Sequence, residues 1–361
     1  MTAGPSQVEA PAAPLVVSHW PHLAQPVTVA TVMWSVAAAL LPAAALAGWF
    51  FGIRAYMHVG LAVATAVGTE ALIQRLLRKP VTVADGSAVV TGILLAFCLP
   101  AQARWFVPIV GAFVAIAIAK QCFGGLGANI WNPALIGRAF VHNSFPVDMN
   151  PATYPVLESG HFAANVGTVG GLPEGVHAVS GASPMKILSA IAHGQTPDVA
   201  SALKTGLPSL WDMLLGNTGG DIGETSALVL LIGGAYLIYK GWVRWQVPLA
   251  YLATVAAGAF LYAVWGNAAI AEGGLAGRYV LYHLLGGGLM LGALFMATDM
   301  VTSPLSNKGL WIFGTGCGAL TILIRLYGGY PEAVCYSILL ANTTVPLIDR
   351  WTAPRIFGHK Q

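Results

Sequence analysis

Long apolar runs that recur along the whole chain constrain its fold more than any other feature. They alternate with short polar stretches, and only 9% of the 361 residues are charged, whereas a soluble domain carries about 25%. The mean hydropathy is +0.70. An apolar surface of this extent needs lipid around it, since a membrane-spanning helix takes about 20 apolar residues. The sequence therefore predicts an all-α polytopic membrane protein.

The apolar runs predict about ten transmembrane helices, five on each side of a long polar interval. They lie at 31–50, 58–77, 87–100, 106–121, 133–145, 224–239, 248–265, 280–298, 310–326 and 333–347. The third and fifth are short for a bilayer span, and short or broken helices occur where protein encloses them. An odd number of spans in each half predicts an inverted repeat, with sites near the midplane between the halves.

These runs divide the chain into five regions. Residues 1–30 form an N-terminal segment, 31–146 the first transmembrane half, 147–223 the polar interval, 224–349 the second transmembrane half and 350–361 a tail. Lys and Arg lie at the ends of the even-numbered spans or just after them more often than at those of the odd-numbered ones, and Lys120 ends the fourth span. Because Lys and Arg favour cytoplasmic loops, we expect both termini in the cytoplasm and the polar interval on the outer side.

Composition argues against several other functions. The net charge of +3 is too small to indicate nucleic-acid binding. Cys98, Cys122, Cys317 and Cys335 form no CxxC pair and lie in or beside apolar runs. We interpret them as buried thiols and predict no disulfide framework, metal site or iron–sulfur cluster in this chain. No nucleophile–base pair suggests hydrolysis, so we predict no catalytic residue.

The polar interval contains the stretch HAVSGASP at 177–184. Pro184 fits the first position of a helix and Ser183 fits the N-cap before it. One interpretation makes Ser183 a helix cap and nothing more. In the other, a phosphate attached to this hydroxyl lies among free N–H groups at the positive end of the helix dipole. Gly181 and Ala182 would let it approach the backbone, and Lys186 would balance its charge.

HAVSGASP and several other stretches of the chain resemble sequences of the NqrB/RnfD family of membrane electron-transfer proteins. SGA[ST] in an extracytoplasmic loop is similar to the flavin-attachment motif of RnfD in Rnf complexes and of NqrB in sodium-pumping NADH:quinone reductases. The Rnf branch is the closer match. The resemblance covers nearly the whole chain and includes KPVTVADGSAVVTGILLA, KQCFGGLGANIWNPALIGRAF, GNTGGDIGETSALVLLIGG, LYHLLGGGLMLGALFMATDMVTSP and IRLYGGYPEAVCYSILLANTTVPLIDR.

The resemblance implies a flavoprotein component of a translocase in the bacterial inner membrane. FMN would be joined covalently, through its phosphate, to Ser183, in a site that includes Ser180, Gly181, Ala182 and Lys186. The implied complex couples electron transfer between NADH and ferredoxin to ion movement. Its NADH and ferredoxin sites, a second flavin protein and iron–sulfur proteins would be other chains, and lipid surrounds this one. Five-plus-five bundles also form urea- and ammonium-type channels, so a solute channel or transporter without flavin is the alternative.

A second constellation is FGGLGANIWNP at 123–133. Gly124 and Gly125 permit a tight turn, and Asn129 and Asn132, three residues apart, would share one face of a helix. One interpretation is a helix cap with interhelical hydrogen bonds. The other is a pocket that recognises the edge of a flavin, because the resemblance implies a noncovalent riboflavin near this element.

Ionisable residues in or near the spans form a candidate ion path. Glu70 interrupts the second span, while Asp85, Glu224 and Asp299 lie at span ends. Carboxylates in membranes are costly and often mark ion or proton routes. At span ends they also serve as caps or face water. Arg75 is five residues after Glu70, which allows only weak pairing.

Overall fold

The computed structural model describes residues 27–150, 154–157, 178–181, 183–196, 198–224, 226–328 and 333–353. In this part of the chain helix dominates, which confirms the predicted all-α membrane fold. Five helices form the first half: α1 Val29–Phe51, α2 Ile53–Leu76, α3 Ser87–Phe97, α4 Phe106–Val114 and α5 Pro133–Ser144. A 3-10 turn, Val83–Asp85, precedes α3, and α4 continues as the π-helix Ala115–Gln121.

The polar interval contains short elements. The helices are α6 Pro146–Met149, α7 Pro184–Ala192, α8 Val199–Ser201 and α9 Leu210–Leu215, with the π-helix Ala202–Gly206 after α8 and the 3-10 turn Ile222–Glu224 at the end. Strands β1 Tyr154–Leu157 and β2 Ala178–Gly181 pair antiparallel, with Tyr154 opposite Gly181. The sequence analysis did not predict this pairing. The polar interval therefore carries secondary structure of its own.

The second half begins after the polar interval. Its helices are α10 Ala227–Tyr239, α11 Gln246–Leu261, α12 Ala268–Glu272, α13 Ala276–Leu285, α14 Leu289–Leu291, α15 Asn307–Tyr327 and α16 Val334–Thr352. Two of them continue as π-helices, α11 as Tyr262–Gly266 and α14 as Gly292–Met296. Each of the ten predicted spans thus coincides with helix in the described chain.

Length and composition separate these helices into two groups. Among the described residues, four helices are long and apolar enough to cross a membrane: α1, α2, 246–266 and α15. The number of candidate spans rises to five when α13 and the helix 289–296, which are bent by 61° relative to each other, are counted as one span. The helices α3, 106–121 and α10 are apolar but shorter. The count of ten spans stays a prediction.

The eighth predicted span, 280–298, is broken and not continuous as expected. Gly287 and Gly288 have φ of +68° and +64°, in the left-handed region that interrupts a right-handed helix and favours glycine. Because glycine has no Cβ, both residues can adopt this conformation, and the chain turns there between α13 and α14.

Side-chain caps fix where several helices begin. Thr28 accepts a hydrogen bond from the N–H of Thr31 at the start of α1 (3.2 Å). Ser226 does the same for α10 through the N–H of Val229 (3.3 Å). These hydroxyls satisfy N–H groups that have no partner within the helix. Local sequence therefore sets these boundaries.

Small residues let the long helices approach closely. A Cβ on Gly314 or Gly318 of α15 would lie 2.8 Å from the carbonyl oxygen of Val247 or Tyr251 of α11. Backbone contact of this kind is typical of membrane helix pairs, where packing replaces the hydrophobic effect as the force between helices. The pair α11 and α15 thereby forms the centre of the second half.

Within each half, corresponding helices pack on one another in the same order. In the first half α2 packs on α3 and α4, and α4 packs on α5; in the second half α11 packs on α13 and α15, and α15 packs on α16. This correspondence agrees with an internal repeat. The inversion of one half relative to the other stays a prediction.

Candidate functional site

The structure places Ser183 at the predicted boundary of α7. Pro184 is the first helical residue and Ser183 is the N-cap, whose carbonyl oxygen accepts the N–H of Lys186 (2.9 Å). The side chain makes no capping hydrogen bond. Ser183 is 1% exposed, and its Oγ has no hydrogen-bond partner among the described residues. Ser183 is therefore the N-cap by position, as predicted, but its hydroxyl does not bind the helix N–H groups.

The other predicted attachment residues surround this position. Ser180 and Gly181 end β2, which holds their backbone against β1. Lys186 is half-buried in the first turn of α7. Ala182 lies outside the described residues. Ser180, Gly181 and Lys186 therefore flank Ser183 on two elements that meet there.

α7 packs on the break between α13 and α14. A Cβ on Gly287 would lie 2.7 Å from Cγ of Met185 and 2.6 Å from Nη2 of Arg325. Arg325 is 1% exposed and donates to the carbonyl oxygens of His283, Gly286 and Gly287. A guanidinium against the last carbonyls of α13 is favourable because that end of a helix is negative. This arginine thus stabilises the break beneath α7.

The glycine-rich turn before α5 has the predicted conformation. Gly124 and Gly125 have φ of +120° and +104°, values that side chains rarely adopt. The two asparagines, however, do not share a helix face as expected. Asn132 is the N-cap of α5 and accepts the N–H of Ala134 (3.0 Å), while Asn129 lies in the preceding loop. An N-cap has extended backbone and ends the helical spacing on its N-terminal side.

Both asparagines nevertheless line one cleft between the halves. The cleft has a volume of about 770 Å³, including its part open to solvent. Apolar and aromatic side chains such as Trp242 and Phe295 form most of its wall. The Oδ1 atom of Asn129 is buried there without a hydrogen-bond partner in the described chain. The cleft therefore offers a buried amide oxygen to a ligand.

Glu70 is buried, but its partner is not Arg75. It forms an ion pair with Lys120 at 2.8 Å, and both side chains are at most 2% exposed. Lys120 also donates to Ser87 (2.7 Å), and Ser87 donates to Asp85 (2.6 Å). Two of the four candidate ion-path carboxylates are thus joined through Lys120. Lys120, at the end of the fourth predicted span, was expected to be a charge that sets topology, but it lies inside the protein on the π-helical end of α4.

The remaining two carboxylates lie elsewhere. Asp299 borders the cleft and accepts a hydrogen bond from Thr302 (3.2 Å). Glu224 lines a second cavity of about 320 Å³ with Arg138 and Asp221. The structure therefore does not bring the four carboxylates into one path.

The match to known proteins covers almost the entire chain. A model of the NQR2, RnfD, RnfE family matches residues 16–358. The chain belongs to this family. It is 46% identical to the D subunit of the Na⁺-translocating ferredoxin:NAD⁺ oxidoreductase complex of Acetobacterium woodii, with 95% of each chain covered. It is 43% identical to the proton-translocating counterpart of Clostridium ljungdahlii (96% of each) and 40% identical to the D subunit of the ion-translocating oxidoreductase complex of Stutzerimonas stutzeri (91% of each).

In this member of the NQR2, RnfD, RnfE family, three of the four thiols are buried as predicted. Cys98, Cys317 and Cys335 are inside the protein, but Cys122 is exposed. The prediction was wrong for Cys122 because the helix ends one residue before it, at Gln121, where the chain turns into the glycine-rich loop.

Sequence reasoning also missed two buried cations of the sites. Lys120 and Arg325 each lie near the end of a predicted span and were expected to be charges that set topology. The signal that could have identified Lys120 is Glu70, since a carboxylate within a span needs a cation nearby. No comparable signal marked Arg325, because its partners are backbone carbonyls.

Proposed function

We propose that this chain is the D subunit of an ion-translocating ferredoxin:NAD⁺ oxidoreductase complex and carries FMN on Ser183 through a phosphoester bond. The complex lies in a bacterial inner membrane with both termini of this chain in the cytoplasm. Other membrane and peripheral subunits hold the NADH and ferredoxin sites, the iron–sulfur clusters and a second flavin. The family membership and the names of the relatives support the assignment to the complex.

One observation carries the attachment to Ser183: a buried hydroxyl at the start of a helix makes no hydrogen bond within the described chain. An unsatisfied buried polar atom is costly and needs a reason. A phosphate on this oxygen would lie at the positive end of the helix dipole of α7. Lys186 is in the same turn and supplies a positive charge. The side chains packed around Ser183 must move when the phosphate is attached.

The cleft is the second proposed flavin position, for a noncovalent riboflavin. Its apolar and aromatic walls, with a few polar groups among them, suit a flat aromatic ring. The free Oδ1 of Asn129 can accept the N–H of an isoalloxazine edge, and the amide of Asn132 lies in the same wall. When bound, the flavin supplies the redox chemistry, and the protein fixes its position and potential. Gly124 and Gly125 shape the turn that presents these amides.

The attachment is tested on the full-length chain produced with a flavin-attaching transferase. We expect a fluorescent band under ultraviolet light after denaturing electrophoresis, and a peptide containing Ser183 heavier by FMN less one water. Ser183→Ala should abolish both signals. The matched control is Ser189→Ala on the same helix, whose hydroxyl contacts His193 (3.4 Å), and it should keep them.

Two results would contradict the proposal. A bare Ser183 peptide in cells that contain the transferase would exclude the attachment. A colourless, flavin-free protein would favour the alternative of a solute channel, which needs no bound chromophore.

A further inference from the structure

We infer that Lys120 sets the reduction potential of the flavin in the cleft and passes protons to it from Asp85 through Ser87. This inference rests on the proposed riboflavin position. It assigns to the chain a residue that tunes the cofactor and a route for the proton that accompanies the electrons.

Lys120 lies buried at the wall of the cleft. Its Nζ is 2.8 Å from a carboxylate oxygen of Glu70 on α2, and Lys120 is 1% exposed. The same side chain lines the cleft together with Asn129 and Asn132. A positive charge next to an isoalloxazine favours its reduced, negatively charged form, which raises the reduction potential. Lys120 is therefore in the position where a charge tunes the cofactor.

Stability alone does not explain this ion pair. A buried pair is often no more stable than apolar residues of similar size, because both charges lose their hydration. Two further side chains support the ion pair: Gln121 donates a hydrogen bond to Glu70 (3.0 Å), and so does Gln74 (3.3 Å). Charges inside a membrane protein are more often functional than structural. The support given to Glu70 fixes the position of Lys120 at the cleft wall.

A continuous hydrogen-bonded chain joins Lys120 to the partly exposed Asp85. Lys120 Nζ donates to Ser87 Oγ (2.7 Å), and Ser87 Oγ donates to Asp85 Oδ1 (2.6 Å). Each distance is within the normal range for hydrogen bonds. The charged groups around Lys120 come from several elements: Glu70 from α2, Asp85 from the 3-10 turn before α3, and Asp299 from the lining of the same cleft.

The reduction balances in electrons and protons. If two electrons reach a bound flavin from an iron–sulfur or flavin carrier of the complex, the Lys120 ammonium would give it one proton. Lys120 would then regain a proton from the hydroxyl of Ser87. Ser87 would regain its proton from bulk water by way of the partly exposed Asp85. The net change is two electrons and one proton taken up by the cleft.

The test uses the full-length chain in the Ser183→Ala background, in which the noncovalent flavin is the only chromophore of its kind. Riboflavin is added during purification, and the ratio of reduced to oxidised flavin is measured at fixed applied potentials. Lys120→Gln should lower this ratio at least tenfold, which for a two-electron couple is about 30 mV. Glu70→Gln removes the counter-charge and should shift the ratio in the opposite direction.

The relay is tested separately through a rate. After rapid mixing with dithionite, Ser87→Ala should slow the proton-linked reduction about tenfold. Ser337→Ala is the matched control, because Ser337 is also buried but bonds Tyr251 and Thr321 far from the cleft, and it should leave this rate unchanged.

The outcomes separate this inference from the function on which it rests. A chain that binds no riboflavin refutes the proposed cleft site. The role of Lys120 is refuted if bound riboflavin has the same reduction potential in the Lys120→Gln variant as in the chain with Lys120 intact. If Lys120→Gln does not fold, Glu70→Gln decides, and a potential that stays equal or falls overturns the inference. An unchanged rate in Ser87→Ala overturns the relay.

Discussion

The ion pair between Arg138 and Asp221 is expected to stabilise the contact between the two halves, and Arg138→Met tests this. Arg138 lies on α5 and Asp221 lies just before the turn that leads to α10. Nη2 and Oδ2 are 3.0 Å apart, and the side chains are 7% and 3% exposed. Arg138 Nε also donates to the carbonyl oxygen of Cys98 at the end of α3 (3.0 Å). Methionine keeps most of the apolar length and removes the charge.

The magnitude follows from burial. Removing one partner of a buried pair leaves the other charge in the interior and costs about 3–5 kcal/mol. We therefore expect Arg138→Met to lower the apparent Tm by roughly 6 °C or more, on the scale measured for soluble domains. Replacing both partners removes both charges. The double variant Arg138→Met/Asp221→Leu should therefore be much closer to the unmodified chain than either single variant.

The buried thiols provide the assay. Cys98, Cys317 and Cys335 are inside the protein and react with a fluorogenic maleimide only on unfolding, whereas Cys122 is exposed and is first replaced by serine. Labelling is followed on heating in detergent at one scan rate, because unfolding of such proteins is usually irreversible. An apparent Tm of Arg138→Met within about 1 °C of the background would refute the reasoning. So would a double variant whose loss equals the sum of the two single losses.

Two further predictions concern packing and pH, with the same labelling assay. Gly137→Ala should cost about 1–3 kcal/mol, because its Cβ would lie 2.5 Å from the carbonyl oxygen of Gly111, whereas Gly68→Ala, with nothing within 4 Å, should be neutral. Arg104 donates to Asp148 outside the spans and lowers the pKa of that carboxyl below its usual 3.8. The stability lost in Arg104→Gln should be present at neutral pH and disappear as acid protonates Asp148 below that value; a constant difference would contradict this.

The positions of the helices could be predicted from sequence because the signals are local. Apolar runs mark each helical stretch, and hydroxyl caps mark several starts. The boundary at Ser183 and Pro184 is correct for this reason: proline at the first helical position needs no hydrogen-bond donor, and its φ already fits a helix. The positive φ values of Gly124 and Gly125 also depend only on neighbouring residues.

The partners in the sites could not be predicted, because they are distant in sequence. Glu70 and Lys120 are 50 residues apart, and Arg325 reaches the carbonyl of His283, 42 residues earlier. Such pairs depend on how helices pack. The π-helical turn that ends α4 adds a further shift, since it rotates the residues after it relative to an α-helix. Lys120 thereby faces α2 and the cleft, although in the sequence it only marks the end of the fourth predicted span.

The broken element α13–α14 connects the two proposed flavin positions. At its break, Gly287 contacts Met185, two residues after Ser183, and at its other end Phe295 lines the cleft. Gly287 and Phe295 are eight positions apart, and the chain between them runs through the turn at Gly287 and Gly288, α14 and the π-helix 292–296. Arg325 donates to the carbonyl oxygens at the break and therefore stabilises the end of this element nearest Ser183. The two proposed flavin positions thus share one structural element, and we expect a change in the break to affect both.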